Sequence, residues 1–196
     1  MVSEFVSKGT SVTSGESAKS PTAEPTIVEQ QFLRFHLLPD TTAVLPVYQM
    51  TEVLTIPVSQ IVPIPHMPAW VMGVYNWRGE ILWIVDLGHL LGLSPLYQQA
   101  INRSTYTAIV IHSTQQMSTR QRVSSQITGQ KLLGLVVTQV EDMEWCDPQV
   151  IQSPLHSEVT PDMVPFLRGY WIKSNGEMLV VLDGEAVLEG MPKSSI

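Results

Sequence analysis

From about residue 27 the apolar positions fall in short, strand-like runs, some alternating with polar residues and some continuous. Gln31-Phe32-Leu33-Arg34-Phe35-His36-Leu37 is the first such stretch, and taking Phe32 or Leu33 as the buried position selects opposite faces. Residues 43–47 and 48–54 are apolar and β-branched, and Pro46 near the end of the first run predicts a bend there. Two runs, 71–77 and 80–85, flank Arg78-Gly79, and a two-residue gap ending in glycine predicts a hairpin. Residues 106–112 and 131–145 read as further strands. Between them 113–130, rich in Ser, Thr and Gln, reads as a long hairpin loop. Another hairpin is expected around Asn175-Gly176, from 169–174 and 177–182. Helical potential is confined to a turn or two at 86–91, stopped by Gly92, and at 184–188.

Residues 1–26 hold scattered apolar side chains among Ser, Thr, Glu, Pro and Gly. They bury too little to offset the entropy of ordering, so a disordered tail is expected, with ordered structure beginning near Ile27. Residues 191–196 read as a short C-terminal tail. Short strands, closely spaced turn signals and no long helical period predict an all-β chain of small barrels.

Two segments resemble each other about 90 residues apart. Leu45-Pro46-Val47-Tyr48-Gln49-Met50-Thr51-Glu52-Val53 aligns with Leu135-Val136-Val137-Thr138-Gln139-Val140-Glu141-Asp142-Met143. Gly73-Val74-Tyr75 aligns with Gly169-Tyr170-Trp171, and the segment 79–86 with 176–183. Each half ends on an Asp followed by a short apolar helix. Any two Val- and Gly-rich hairpins share some letters, but four landmarks in the same order imply one unit used twice. The expected division puts most of one lobe in 43–95 and most of the other in 105–183, with terminal segments completing the barrels of a domain spanning 27–190.

Composition narrows the function. Of 196 residues 44% are hydrophobic and 15% charged, with 11 Lys and Arg against 18 Asp and Glu, for a net charge of −7. No basic run offers a field for a phosphate backbone, which argues against nucleic acid and against an anionic membrane surface. No apolar stretch is long enough for a membrane span, the first residues lack a signal-peptide pattern, and the single Cys146 fits a reducing cytoplasm.

One block is specific. Gly73-Val74-Tyr75-Asn76-Trp77-Arg78-Gly79 follows Pro63-Ile64-Pro65 and precedes an apolar strand ending in Asp86-Leu87. With Gln49-Met50-Thr51-Glu52-Val53-Leu54, and with Leu133-Gly134-Leu135-Val136-Val137 and Leu167-Arg168-Gly169 in the second half, it resembles the chemotaxis coupling protein family, the CheW-like domain, over about 30–190. That resemblance implies two SH3-like five-stranded barrels and a non-catalytic adaptor. It further implies partners: the regulatory domain of a CheA-type histidine kinase, and the cytoplasmic tip of a methyl-accepting receptor. Chemotaxis, phototaxis and pilus-driven motility are the outputs it allows, and receptor arrays at the inner face of the membrane the place. The chain departs from the family with Trp77 where Leu is usual, and with Tyr75 and Trp83 where aliphatics are common.

The resemblance gives six candidate partner-binding residues: Met50, Glu52, Asn76, Trp77, Arg78 and Gly79. Arg78 is either a solvated turn residue, an anchor for a partner carboxylate, or an internal partner of Glu52 or Glu80. Glu52 is a lone charge in an apolar strand, and Met50 shares its face by spacing, with simple core as the alternative. Asn76 and Gly79 suit the turn itself. Trp77 and Tyr75 share a strand face, as core or as an aromatic patch.

Catalytic signatures are lacking. The five histidines show no metal-ligand spacing, so neither metal nor cofactor is expected. Asp86 and Asp183, at equivalent places before the two short helices, suit N-caps better than an acid–base pair. Cys146 has no basic neighbour in sequence to activate it. Two other readings stay open: a regulatory piece of a larger kinase or coupling protein, and an unrelated SH3-like peptide-binding module.

Overall fold

The computed structural model describes residues 28–98, 103–114, 132–153 and 160–192. The expected tail at 1–26 and nearly all of the expected loop at 113–130 lie outside them. Ten strands form two five-stranded sheets. β1 (Gln30–Leu37), β2 (Thr41–Pro46), β8 (Gln139–Cys146), β9 (Leu167–Ile172) and β10 (Met178–Leu182) make barrel A, in the order β8-β1-β2-β10-β9. β3 (Met50–Pro57), β4 (Val71–Trp77), β5 (Glu80–Asp86), β6 (Thr105–His112) and β7 (Leu132–Val137) make barrel B, in the order β3-β6-β7-β5-β4. Each has one parallel contact, β10 on β2 and β5 on β7, at the same place in the order. A short helix follows the last strand of each repeat, α1 (Leu87–Leu90) after β5 and α2 (Gly184–Glu189) after β10. The all-β character is what the strand pattern predicts, and the two five-stranded barrels are what the repeat and the family resemblance imply.

The lobes are not cut where the sequential division puts them. β6 and β7, placed within 105–183, complete the barrel of β3–β5, while β1 and β2 complete the barrel of β8–β10. Each repeat keeps its last three strands and lends its first two to the other barrel. The cause is local. The chain leaves β2 through a single 3-10 turn, Val47–Gln49, and leaves β7 through Thr138 alone. Neither connection makes a hairpin turn, and the next strand joins the other sheet. The run 131–145, expected as continuous strand, is therefore broken at Thr138 into strands of different sheets. Nothing in its β-rich composition marks the break.

This exchange explains why several strands are apolar on both faces. Leu33, Phe35 and Leu37 of β1, Ala43 and Leu45 of β2, Ile109 and Ile111 of β6, Leu133, Leu135 and Val137 of β7, and Val180 and Leu182 of β10 meet in one core shared by both sheets. The intervening residues face inward. Leu82, Ile84, Ala108, Val110 and Val136 fill barrel B. Phe32, Val44, Leu179 and Val181 fill barrel A. Strands covered on both sides read as near-continuous apolar runs rather than as alternation.

The barrels close in the same way. After β3 and after β8 the chain makes a 3-10 turn and then a lone bridge, Val62 to Val74 in barrel B and Gln152 to Tyr170 in barrel A. The bridging backbones press on Gly73 and Gly169: a Cβ there would stand 2.2 Å from the carbonyl oxygen of Val62 or of Gln152. Two glycines 96 residues apart in identical roles are structural evidence of the duplication.

Candidate functional site

The six candidate residues map to one end of barrel B, with one exception. β4 and β5 pair up to Trp77 opposite Glu80, leaving Arg78-Gly79 as a two-residue loop. Arg78 has φ +55° and Gly79 φ +86°, as a type I′ turn requires. Asn76 holds the turn: its Oδ1 accepts the Gly79 N–H at 3.0 Å. Asn76 and Gly79 thus shape the loop, and both are exposed.

β3 is the edge strand of the same barrel and brings Glu52 beneath the turn. Glu52 Oε1 accepts from the Trp77 indole N–H at 2.6 Å, and Oε2 accepts from Arg78 Nη2 at 2.9 Å. The Arg78 guanidinium carbon lies 4.8 Å from the Trp77 ring centroid. The Trp77 ring packs, half-buried, against the interior of barrel B beside Tyr75, the core placement its strand face allows. Of the alternatives for Arg78, the internal partner is Glu52 and not Glu80. Even so, the Arg78 side chain is 67% exposed against 27% for Glu52, so it is braced from below and open above. Met50 is the exception. A register shift between Met50 and Glu52 interrupts the simple alternation, and Met50 packs against the shared core.

Barrel A repeats this chemistry at its own hairpin. Glu144 Oε2 on edge strand β8 accepts from Lys173 Nζ at 2.7 Å, and that ammonium stands 5.7 Å from the Trp171 ring centroid. Here a fourth group seals the arrangement. Arg34, from β1, meets Glu141 through Nε at 2.5 Å, Glu144 at 3.1 Å and Glu177 at 2.6 Å, and its side chain is 17% exposed. His36 Nε2 stands 2.6 Å from Glu141 Oε1. Hydrogen bonding to Glu177, foremost, pushes the Arg34 pKa upward. Glu141 is held below the ordinary carboxylate range, by the His36 hydrogen bond first and then by Arg34. For Glu144 burial acts first and pushes upward, but Lys173 and Arg34 outweigh it and the net direction is down. None of these residues was a candidate from sequence. The signal that could have found them is an arginine set between Phe32-Leu33 and Phe35 in the apolar part of β1, much as Glu52 was picked out in its strand.

The remaining polar groups serve the fold. Asp86 caps α1 through the His89 N–H and also takes the Leu96 N–H at 2.7 Å, while Asp183 caps α2 through the Glu185 N–H. Burial pushes the Cys146 thiol up to about 11, the reverse of what a nucleophile needs.

The paired aspartates are thus spent on helix caps, and the exposed ion pair at the Arg78 corner sits on a hairpin turn of the double barrel. Its family is identifiable: the chain belongs to the CheW-like domain family, which matches residues 31–191. It is 28% identical over 124 residues to a probable chemotaxis protein CheW of Rhizobium etli, a match spanning 63% of this chain and 66% of that protein. Among solved structures it resembles the scaffolding protein TtCheW of Thermoanaerobacter tengcongensis, at 20% identity and a TM-score of 0.59, over 80% of this chain and 90% of that one. At that identity the likeness shows the shared fold.

Proposed function

We propose that this chain is a non-catalytic adaptor that couples a methyl-accepting receptor to a CheA-type histidine kinase. Family membership supports the scaffold role, and the chemotaxis protein among its relatives supports the pathway. The observation that carries the reading is the Arg78 corner: a cation 67% exposed, on a turn fixed by Asn76 and Gly79 and braced by Glu52. A guanidinium presented in this way can take a partner carboxylate or backbone carbonyl at low cost in conformational entropy.

In this scheme one lobe docks barrel to barrel on the kinase's regulatory domain, and the Arg78 face takes the helical receptor tip. The adaptor transmits a signal by fixing where the two partners stand. It therefore binds the two receptor states with unequal affinity, since equal affinity shifts no equilibrium. It works on the cytoplasmic side, at receptor arrays under the inner membrane; no helix among the described residues is long and apolar enough to cross a membrane.

The test is co-purification with a CheA-type kinase and with a receptor cytoplasmic fragment, comparing the wild type with Arg78→Ala and Glu52→Ala. Arg78→Ala is expected to weaken receptor capture about tenfold or more. Full retention of both partners by both variants would remove the corner from the interface.

A further inference from the structure

We infer that Trp77 is a positioning residue: it keeps Glu52 satisfied so that Arg78 can leave the carboxylate and engage a partner. The inference rests on the reading of Arg78 as a partner contact and adds the device that frees it.

Glu52 divides its two oxygens between two donors of different character. Oε1 takes the indole N–H at 2.6 Å from a ring anchored in the barrel B core; Oε2 takes one Arg78 nitrogen at 2.9 Å from a side chain 67% exposed. The first donor cannot move without disturbing the core, whereas the second rotates out of a solvent-facing turn. Glu52 itself is mostly covered, its side chain 27% exposed. With an aliphatic residue at position 77, release of Arg78 would strip that carboxylate of its protein donors, and the penalty for an unpaired, largely covered acid would oppose binding. Trp77 removes much of the penalty. Its ring, 4.8 Å below the guanidinium, also gives the arginine a surface to slide across as it changes partner.

Barrel A shows the contrast. Its edge carboxylate, Glu144, has no indole donor: it is held by Lys173 and Arg34, and the cations are 27% and 17% exposed. The ring there, Trp171, meets Lys173 but makes no hydrogen bond to Glu144. The two corners, built from residues at non-equivalent positions of the repeat, thus differ in how firmly the cation is held. The corner with the indole donor is the open one.

The test is titration of a receptor cytoplasmic fragment into four full-length proteins by fluorescence anisotropy: wild type, Trp77→Phe, Glu52→Gln and the double variant, with Arg78→Ala as control. Phenylalanine keeps an aromatic ring but deletes the donor along with half of the indole, a packing change that is the same in both Glu52 backgrounds; thermal melting verifies that each variant is folded. Trp77→Phe is expected to weaken binding about five- to tenfold, and this loss is expected to shrink to less than about twofold in the Glu52→Gln background, where no charge is left stranded. Equal losses in both backgrounds would mean that the indole acts through packing, and the inference falls. Wild-type affinity for Trp77→Phe alongside a loss in Arg78→Ala overturns the inference but leaves the proposed contact standing. Wild-type affinity for Arg78→Ala overturns both.

Discussion

Replacing Arg34 by methionine removes the cation that three carboxylates of barrel A share, while keeping a side chain of similar reach in β1. In the native arrangement the guanidinium meets Glu141, Glu144 and Glu177 within 3.1 Å. Without it Lys173 still reaches Glu144 and His36 still reaches Glu141, but no other cation among the described residues reaches Glu177. Removing one partner from a fully buried ion pair costs about 3–5 kcal/mol. Arg34 is 17% exposed and its acids are more so, and water screens what it reaches, so the expected loss is about 2–4 kcal/mol. For a chain of this size that lowers Tm by roughly 5–15 °C.

The pH dependence separates this mechanism from lost packing. Glu141 and Glu144 have folded-state pKa values below the 4.5 of the free group. The stability they contribute is therefore present above about pH 4.5 and is lost as pH falls through the lower, folded values. Methionine at position 34 weakens that depression, so the gap between wild type and variant is widest near neutrality and narrows in acid. Urea unfolding followed by far-UV circular dichroism at pH 7 and pH 3.5 measures both. A deficit under about 1 kcal/mol at pH 7, or a deficit unchanged at pH 3.5, refutes the reasoning. The equivalent positions in barrel B supply a second comparison. Leu45 pairs with Leu33 as Leu135 pairs with Ile109, so Arg34 corresponds to Val110, and by the same registers Glu144 corresponds to Leu54. Copying that pair, Arg34→Val with Glu144→Leu, is expected to recover part of the loss, since an apolar plug is as good as a sealed ionic one.

Other outcomes follow from single contacts. Gly73→Ala and Gly169→Ala each force a methyl to within 2.2 Å of a bridging carbonyl; each is expected to lose about 2–4 kcal/mol by chemical unfolding, and a neutral result would mean that the closing bridges are dispensable. Gln49→Ala leaves the buried Gly184 N–H without its 2.9 Å acceptor, for an expected cost of about 1–3 kcal/mol and earlier hydrogen exchange in α2. The Cys146 thiol, pushed up to about 11 by burial, is expected to resist thiol reagents at pH 8 until urea unfolds the chain; rapid native labelling would contradict its placement.

How far the sequence carried depends on which interactions are local. The β4–β5 hairpin was legible because two apolar runs flank a two-residue gap ending in Gly79, although nothing in the arginine letter marks the positive φ of Arg78. The helix caps at Asp86 and Asp183 were legible too, each lying directly before its helix. Duplication was visible through Gly73 and Gly169, where a neighbouring backbone forbids any side chain. The lobe boundary was not, because it depends on a choice made between elements. At Thr138 the chain turns from one sheet to the other, and a β-branched residue there looks like more strand. The barrel A cluster was hidden too: Arg34 meets its acids across 107 to 143 positions of sequence, and no spacing rule reaches that far.

The exchanged strands bear on how such an adaptor could work. The Arg78 turn joins β4 to β5, β5 lies parallel to β7, and β7 runs through Thr138 directly into β8, the edge of barrel A that carries Glu141 and Glu144. The two lobes also share one core, in which Leu33, Phe35 and Leu45 of one sheet pack with Ile109, Leu133 and Leu135 of the other. Rotating one lobe against the other would open that core and strain both crossovers, each at most a three-residue turn. Packed interfaces of this kind resist small displacements rather than absorbing them. For the proposed adaptor role this stiffness has a consequence: a shift imposed at the Arg78 corner would carry the far barrel with it instead of being lost in a hinge.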